Sequence, residues 1–224
     1  MIAVSSCRFV VAFLMAAALV VSLGCEVKPN PLVSPDPVTP PDPVTPVPTA
    51  DTRGLAPEVR EYIVSSDWTM QSARIQRMRN DRSDPVRVYG GPYASELVLR
   101  AANLWTADTG LTFKIVDTLV ESEISVANVV VPTGCGNADI NVAALPIVSG
   151  GKVNIAVGLK DGCADQGDNI VGGIAHEIGH ILGFGHSKVV NDLMDPSPGS
   201  LQLAPSTATA VRWVYSQPIG AVIR

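Results

Sequence analysis

Apolar positions along this chain follow three rhythms, and each predicts a different kind of element. Phe9 to Val21 is apolar almost without relief, yet shorter than the roughly 20 residues a transmembrane helix needs. Asp84 to Gly90 (Asp-Pro-Val-Arg-Val-Tyr-Gly) alternates, the period of a half-buried strand, and Gly90-Gly91 closes it. Ala94, Leu97, Val98, Ala101, Leu104 and Trp105 then recur at helical spacing as far as Gly110, with Trp105 as a core residue. Leu111 to Asp117 reads as a second strand. Strand, helix and strand in this order predict a parallel pair joined by a right-handed crossover. Ile124 to Val131 and Lys152 to Leu159 read as further strands, with Asn141 to Val148 between them. Gly172 to Leu182 and Ser206 to Tyr215 read as helices, and Pro57 to Ser65 and Met70 to Arg79 as two short helical patterns. The mixture predicts an α+β domain.

The head of the chain is of another kind. Met1 to Arg8 carries one positive side chain ahead of the apolar run, the pattern of a signal peptide over residues 1–24. The run ends at Leu23-Gly24-Cys25, which looks like a bacterial lipobox with Ser22 in place of its usual leucine. Lipidation of Cys25 is therefore expected, giving an exported lipoprotein anchored at the cell surface or outer membrane; plain secretion is the other reading. Glu26 follows, not the aspartate that signals inner-membrane retention in similar lipoproteins. Residues 25–50 are dense in proline, with Pro-Asp-Pro-Val-Thr-Pro in tandem at 35–40 and 41–46. Proline removes amide donors and favours extended polyproline II, so this stretch reads as a semi-rigid stalk. Residues 51–84 are set apart as a segment of unassigned role, and 85–224 as the main domain.

Charge and cysteines narrow the setting. Loss of Arg8 with the leader leaves fifteen basic against twenty-one acidic side chains, a net −6, which argues against a nucleic-acid partner. Of four cysteines, Cys7 lies in the leader and Cys25 is the lipidation candidate, leaving Cys135 and Cys163. In an exported protein these predict one disulfide, whose loop of roughly 28 residues would contribute about 3–4 kcal/mol in the chain-entropy picture. Asp161 to Asp168 offers oxygen ligands for Ca2+, although its spacing is not that of an EF-hand and a solvated acidic turn is the plainer reading.

The chemistry concentrates between His176 and His186, His-Glu-Ile-Gly-His-Ile-Leu-Gly-Phe-Gly-His. On a helix, His176 and His180 stand one above the other, so both imidazoles reach one ion, with Glu177 beside them. Gly183 offers the backbone conformation that ends a helix and lets His186 return as a third ligand. Three neutral nitrogens suit one Zn2+ with an open position for water, whose pKa the metal lowers towards about 7, and Glu177 is placed as general base. Five fixed positions of this kind arise by chance in on the order of 1 in 10⁵ chains of this length. The chain has three histidines, and all three are here.

These residues resemble the metzincin metalloproteases, whose signature continues to a methionine turn; Leu193-Met194-Asp195-Pro196 begins seven residues beyond His186. In that family the methionine, here Met194, forms an apolar floor under the ligands without binding metal. Ser187 resembles the matrixin branch, as does the run from Ala101 to Val116, where a helix tryptophan precedes Leu-Thr-Phe. Asp195 departs from the family's tyrosine. The resemblance covers about residues 85–215 and implies a metzincin-like zincin fold, a twisted mixed sheet with long helices, one carrying the HExxH motif. It also implies a monomeric zinc-dependent endopeptidase acting on polypeptides, with an antiparallel edge strand that takes substrate as an added strand, and a specificity pocket built from about Pro196 to Leu203. A surface adhesin with a non-catalytic zinc, or a zinc hydrolase of non-protein amides, are the rival readings; a structural site would need no base such as Glu177.

Two expected outcomes follow from counting. Matrixins carry a second, structural zinc held largely by further histidines, and none is spare here, so metal analysis should give one tightly bound zinc per chain; two would overturn this assignment. Matrixins are also held latent by an upstream cysteine thiolate, and no cysteine lies between Cys25 and Cys135. Mercurials should therefore leave activity unchanged, and masking, where it exists, would fall to residues 51–84 lying over the cleft. Activation by a mercurial, with a modified cysteine found by mass spectrometry, would overturn that.

Overall fold

A computed structural model describes residues 46–65, 73–129, 135–156, 168–197 and 200–224. The signal peptide, Cys25, almost all of the proline-rich stretch, Cys163 and most of the Asp161–Asp168 turn lie outside these.

Elements in chain order are β1 (Thr49–Ala50), α1 (Pro57–Ser65), β2 (Arg77–Met78), β3 (Val86–Tyr89), α2 (Ser95–Asn103), α3 (Thr106–Thr109), β4 (Phe113–Ile115), β5 (Ile124–Val129), β6 (Gly136–Ala144), β7 (Ile147–Ala156), α4 (Asp168–Ile181), α5 (Pro205–Ser216) and β8 (Val222–Ile223). The main sheet runs β2-β7-β5-β3-β4, all parallel, with β6 antiparallel on β7. The β3–α2–β4 unit forms as the alternation and helical spacing predict, pairing Val86 with Phe113 and Val88 with Ile115. Ser95–Asn103 and Thr106–Thr109 divide the expected helix, and Gly110 ends it at φ 73°. β2 and β5 succeed one another along one side of β7, so β6 occupies the other side and is an edge strand among the described residues.

Two elements differ from expectation. Asn141–Val148 is not one strand: β6 ends at Ala144, Leu145 and Pro146 make the turn, and β7 starts at Ile147. Proline has no N–H for a ladder and belongs at such a boundary. Met70–Arg79 is not a helix in its described part. Arg77 and Met78 pair with Ile147 and Val148, and Ile75 and Met78 are fully buried, so pairing with the start of β7 overrides a local helical pattern.

The core lies between the sheet and helices α2 and α4. Ile170, Val171, Ile174, Ala175, Ile178, Ile181 and Leu182 point inward from α4 or its end, and Trp105 is fully enclosed, its indole N–H donating to the Ala175 carbonyl at 2.9 Å. Val98, Ala101 and Ala102 bury the opposing face of α2.

The described residues between 49 and 84 belong to this packing, within a unit spanning Thr45–Arg224. β1, which closes the proline-rich stretch, pairs in parallel with β8. α1 packs on α5, and Ala50, Val59, Tyr62, Ile63, Ile75 and Met78 enter the core. The described part of the segment is thus packed into the domain, and none of it lines the cleft that the histidines face. The masking role expected of residues 51–84 falls partly on 66–72, which lie outside the described residues. Full burial of each large apolar side chain contributes about 1.5–3 kcal/mol, so their joint loss is comparable with the whole stability of a domain, about 5–15 kcal/mol. A truncation starting at Asp84 should lose its cooperative thermal transition in circular dichroism instead of gaining activity. A truncated protein that melts like the full chain would contradict this.

Candidate metal centre

The site is assembled by one helix, one turn and one edge strand. In α4, His176 and His180 are four residues apart and their ring centroids lie 4.8 Å apart, nearly perpendicular. The helix stops because Gly183 takes φ +108°, a value side-chain-bearing residues avoid, and a Cβ there would stand 2.5 Å from the Gln76 carbonyl oxygen. Gly183 and Phe184 N–H groups close the end on the His180 and Gly179 carbonyls. The chain then returns His186 to 5.2 Å from His176 and 4.9 Å from His180, ring to ring. One nitrogen from each of the three lies within 4.8 Å of the others, the one such cluster of His, Cys, Asp or Glu among the described residues.

Two of these rings are oriented by backbone carbonyls. Nδ1 of His176 is 2.8 Å from the Leu193 oxygen and Nδ1 of His180 is 2.7 Å from the Phe184 oxygen. A carbonyl only accepts, so each Nδ1 bears the proton and each Nε2 keeps a free lone pair, the tautomer a metal ligand needs. Burial depresses both imidazoles, His180 to about 4, with its histidine neighbours adding to the effect. Neutral rings at neutral pH are ligands in waiting.

Glu177 stands next to them, 7 % exposed, and burial raises its carboxyl to about 8. Its Oε2 is enclosed without a hydrogen-bond partner. The other oxygen lies 2.8 Å from where a Cβ on Gly136 would be, so the start of β6 passes directly over the carboxylate. Between β6, from Gly136 to Ile140, and Glu177, His180, Gly185 and His186 opens a cleft of about 310 Å³. An orphaned carboxylate oxygen beside three converging imidazoles is the donor set of a three-nitrogen zinc site with room for one more ligand.

Met194 lies under this cluster, fully buried. A Cβ on Gly179, between the two helix histidines, would fall 2.5 Å from its sulfur and still closer to the Trp105 ring. Only glycine permits that approach. Trp105 in turn stacks on Phe184, centroids 5.7 Å apart and planes within 2°. The turn that presents Met194 is tied to the ligands on both sides: Leu193 receives His176, and the Met194 carbonyl accepts from Ser187 N–H at 2.7 Å.

Reading the sequence missed Asp192. It is buried, and its two oxygens accept from Met194 N–H and Ala204 N–H, each at 2.7 Å. An aspartate two residues before the turn methionine was the available signal, because Asp closes such turns onto its own backbone. Asp195, in the position of the family's tyrosine, does the same one step on, accepting from Asn191 and Ser197 amides. Cys135 directly precedes β6; its expected partner Cys163 lies outside the described residues, as does most of the calcium candidate.

No curated protein matches the chain. The family model for matrixin, peptidase M10, matches residues 90–215, more than half of its length, and takes in the three histidines, Glu177 and Met194. The chain therefore belongs to the matrixin family of zinc metalloproteases.

Proposed function

We propose that this chain is an endopeptidase that hydrolyses internal peptide bonds with Glu177 as general base. The observation that carries the reading is the unpartnered Oε2 of Glu177, buried between the three-histidine cluster and the edge strand β6. Leaving a carboxylate oxygen enclosed without a donor costs about 1–3 kcal/mol or more, a cost that a purely structural metal site has no use for.

His176, His180 and His186 would hold zinc, which when bound lends Lewis acidity to water and to the scissile carbonyl. Burial keeps His176 and His180 neutral and so available as ligands. Glu177 takes a proton from water and releases it to the leaving amine, a transfer for which a carboxyl with a raised pKa suits better than an ordinary one. β6 supports the substrate's placement: its outer edge offers backbone donors and acceptors to an extended peptide, and it runs antiparallel beside Glu177. Ala138 and Ile140 line the same cleft and favour apolar side chains facing them. Lipid anchoring at Cys25 and a proline-rich tether would hold the domain at a membrane surface, where the substrates are exposed polypeptides. A non-catalytic binding domain is the reading this one displaces, and it would retain zinc without turnover.

Glu177→Gln and Glu177→Ala should lower turnover of a denatured protein mixture by about 10²–10⁴-fold, while elemental analysis still finds zinc bound. Chelation should abolish the wild-type activity. Wild-type turnover in either variant, or loss of its zinc, would count against the role assigned to Glu177. Absence of chelator-sensitive cleavage in the wild type would favour the binding domain.

A further inference from the structure

His186 is held differently from its two companions. His176 and His180 each have an Nδ1 secured by a carbonyl, whereas the exposed His186 ring makes no hydrogen bond among the described residues. In its approach, Gly183-Phe184-Gly185, the first two residues are fixed by their N–H bonds to the His180 and Gly179 carbonyls and by the stacking of Phe184 on Trp105, which leaves Gly185, directly before the ligand, as the pliable step. A ligand that follows a glycine needs that glycine tied down, because ordering it otherwise costs conformational entropy when the metal binds.

Each immediate neighbour of His186 is held through a backbone group. After His186, Ser187 N–H donates to the Met194 carbonyl at 2.7 Å. Before it, the Gly185 carbonyl accepts from the hydroxyl of Tyr62 at 2.9 Å, in a buried setting and across 123 positions of sequence. Tyr62 is 7 % exposed on α1, the helix packed against α5, and lies outside the residues 90–215 that the family model matches. Burial, and then the nearby Asp192 carboxylate, raise its phenol far above the ordinary range, so the hydroxyl keeps its proton and donates. The other link from α1 to this loop, Lys188 with Glu61 at 2.7 Å, has both side chains more than half exposed and constrains little.

We propose that Tyr62 is a positioning residue for the metal centre: by fixing the Gly185 carbonyl, its hydroxyl sets where the third imidazole, His186, stands. A segment outside the matched family region thereby completes the metal site. The inference rests on the three-histidine zinc reading.

The test uses the full chain and zinc itself. Tyr62→Phe removes one oxygen and preserves the packing ring, so it should bind zinc about ten-fold more weakly in competition with a chromophoric chelator, as loss of an outer-shell partner does. The visible spectrum of the Co2+-substituted protein should shift as well, since it reports ligand geometry, which general stability does not move. Glu61→Gln, which breaks only the exposed pair, should leave both readouts at wild type. Tyr62→4-aminophenylalanine, which keeps a donor at the same place, should restore them. Should Tyr62→Phe not fold, Tyr62→4-fluorophenylalanine fills the hydroxyl's volume without donating and takes its place in the comparison. Tight zinc binding by the wild type with unchanged affinity and Co2+ spectrum in Tyr62→Phe, even with a lower melting temperature, would overturn the inference alone. A wild-type chain that retains no zinc would remove the metal reading itself.

Discussion

Three imidazoles must stay neutral and face one point, and the rest of the domain can be understood as meeting that demand. Charged imidazoles this close would repel one another and have no lone pair to offer. Burial suppresses protonation of His176 and His180, and a carbonyl on each Nδ1 turns the remaining lone pair inward. Those carbonyls belong to Leu193 and Phe184, so ligand orientation is decided by two turns outside the helix that carries the ligands. The spacing of His176 and His180 is a property of any α-helix; their orientation is a property of this fold.

The turns are held by packing as much as by hydrogen bonds. Trp105 crosses under α4, donates to Ala175, touches Gly179 and stacks on Phe184, the residue whose carbonyl receives His180. Phe184 also meets Tyr215, whose hydroxyl donates to the Leu182 carbonyl, and the Arg77 guanidinium lies 4.8 Å from the Tyr215 ring centre. A run of aromatic contacts thus joins the first half of the domain, the end of the metal helix and α5. Met194 fits where Gly179 leaves no side chain, so its sulfur fills space that would otherwise loosen the helix between its two ligands.

The parts legible in the sequence were those governed by local spacing. His176, Glu177, His180 and His186 are separated by distances a helix and one glycine turn translate directly into space, and β3, α2 and β4 show uninterrupted periods of 2 and 3.6. What escaped depends on partners remote in sequence. β2 is two residues long, too short for any period, and exists because Ile147 and Val148 are there to pair with it. The β6–β7 hairpin was concealed because Asn141 to Val148 is apolar enough to read through its own turn. Asp192 was missed because its importance lies in two amides, Met194 and Ala204, that only the folded turn brings to it.

The same distinction bears on where the domain begins. A boundary drawn at Asp84 follows the motifs, since everything with a recognisable pattern lies beyond it. Physical closure comes earlier. Thr49 and Ala50 pair with Val222 and Ile223, Val222 N–H donates to the Pro48 carbonyl and Arg224 N–H to the Ala50 carbonyl, so the two ends of the folded unit are fastened to each other. Closing so long a stretch of chain costs conformational entropy, which packing of the residues between the two strands offsets. Among the described residues between them, Ile63, Ile75 and Met78 are all but fully buried, and Arg77, itself buried, spends its guanidinium on the Met78 and Gln217 carbonyls and on Asn80. The stretch before the family-matched residues is therefore part of the scaffold that makes the turn after Gly183 rigid enough to present a ligand.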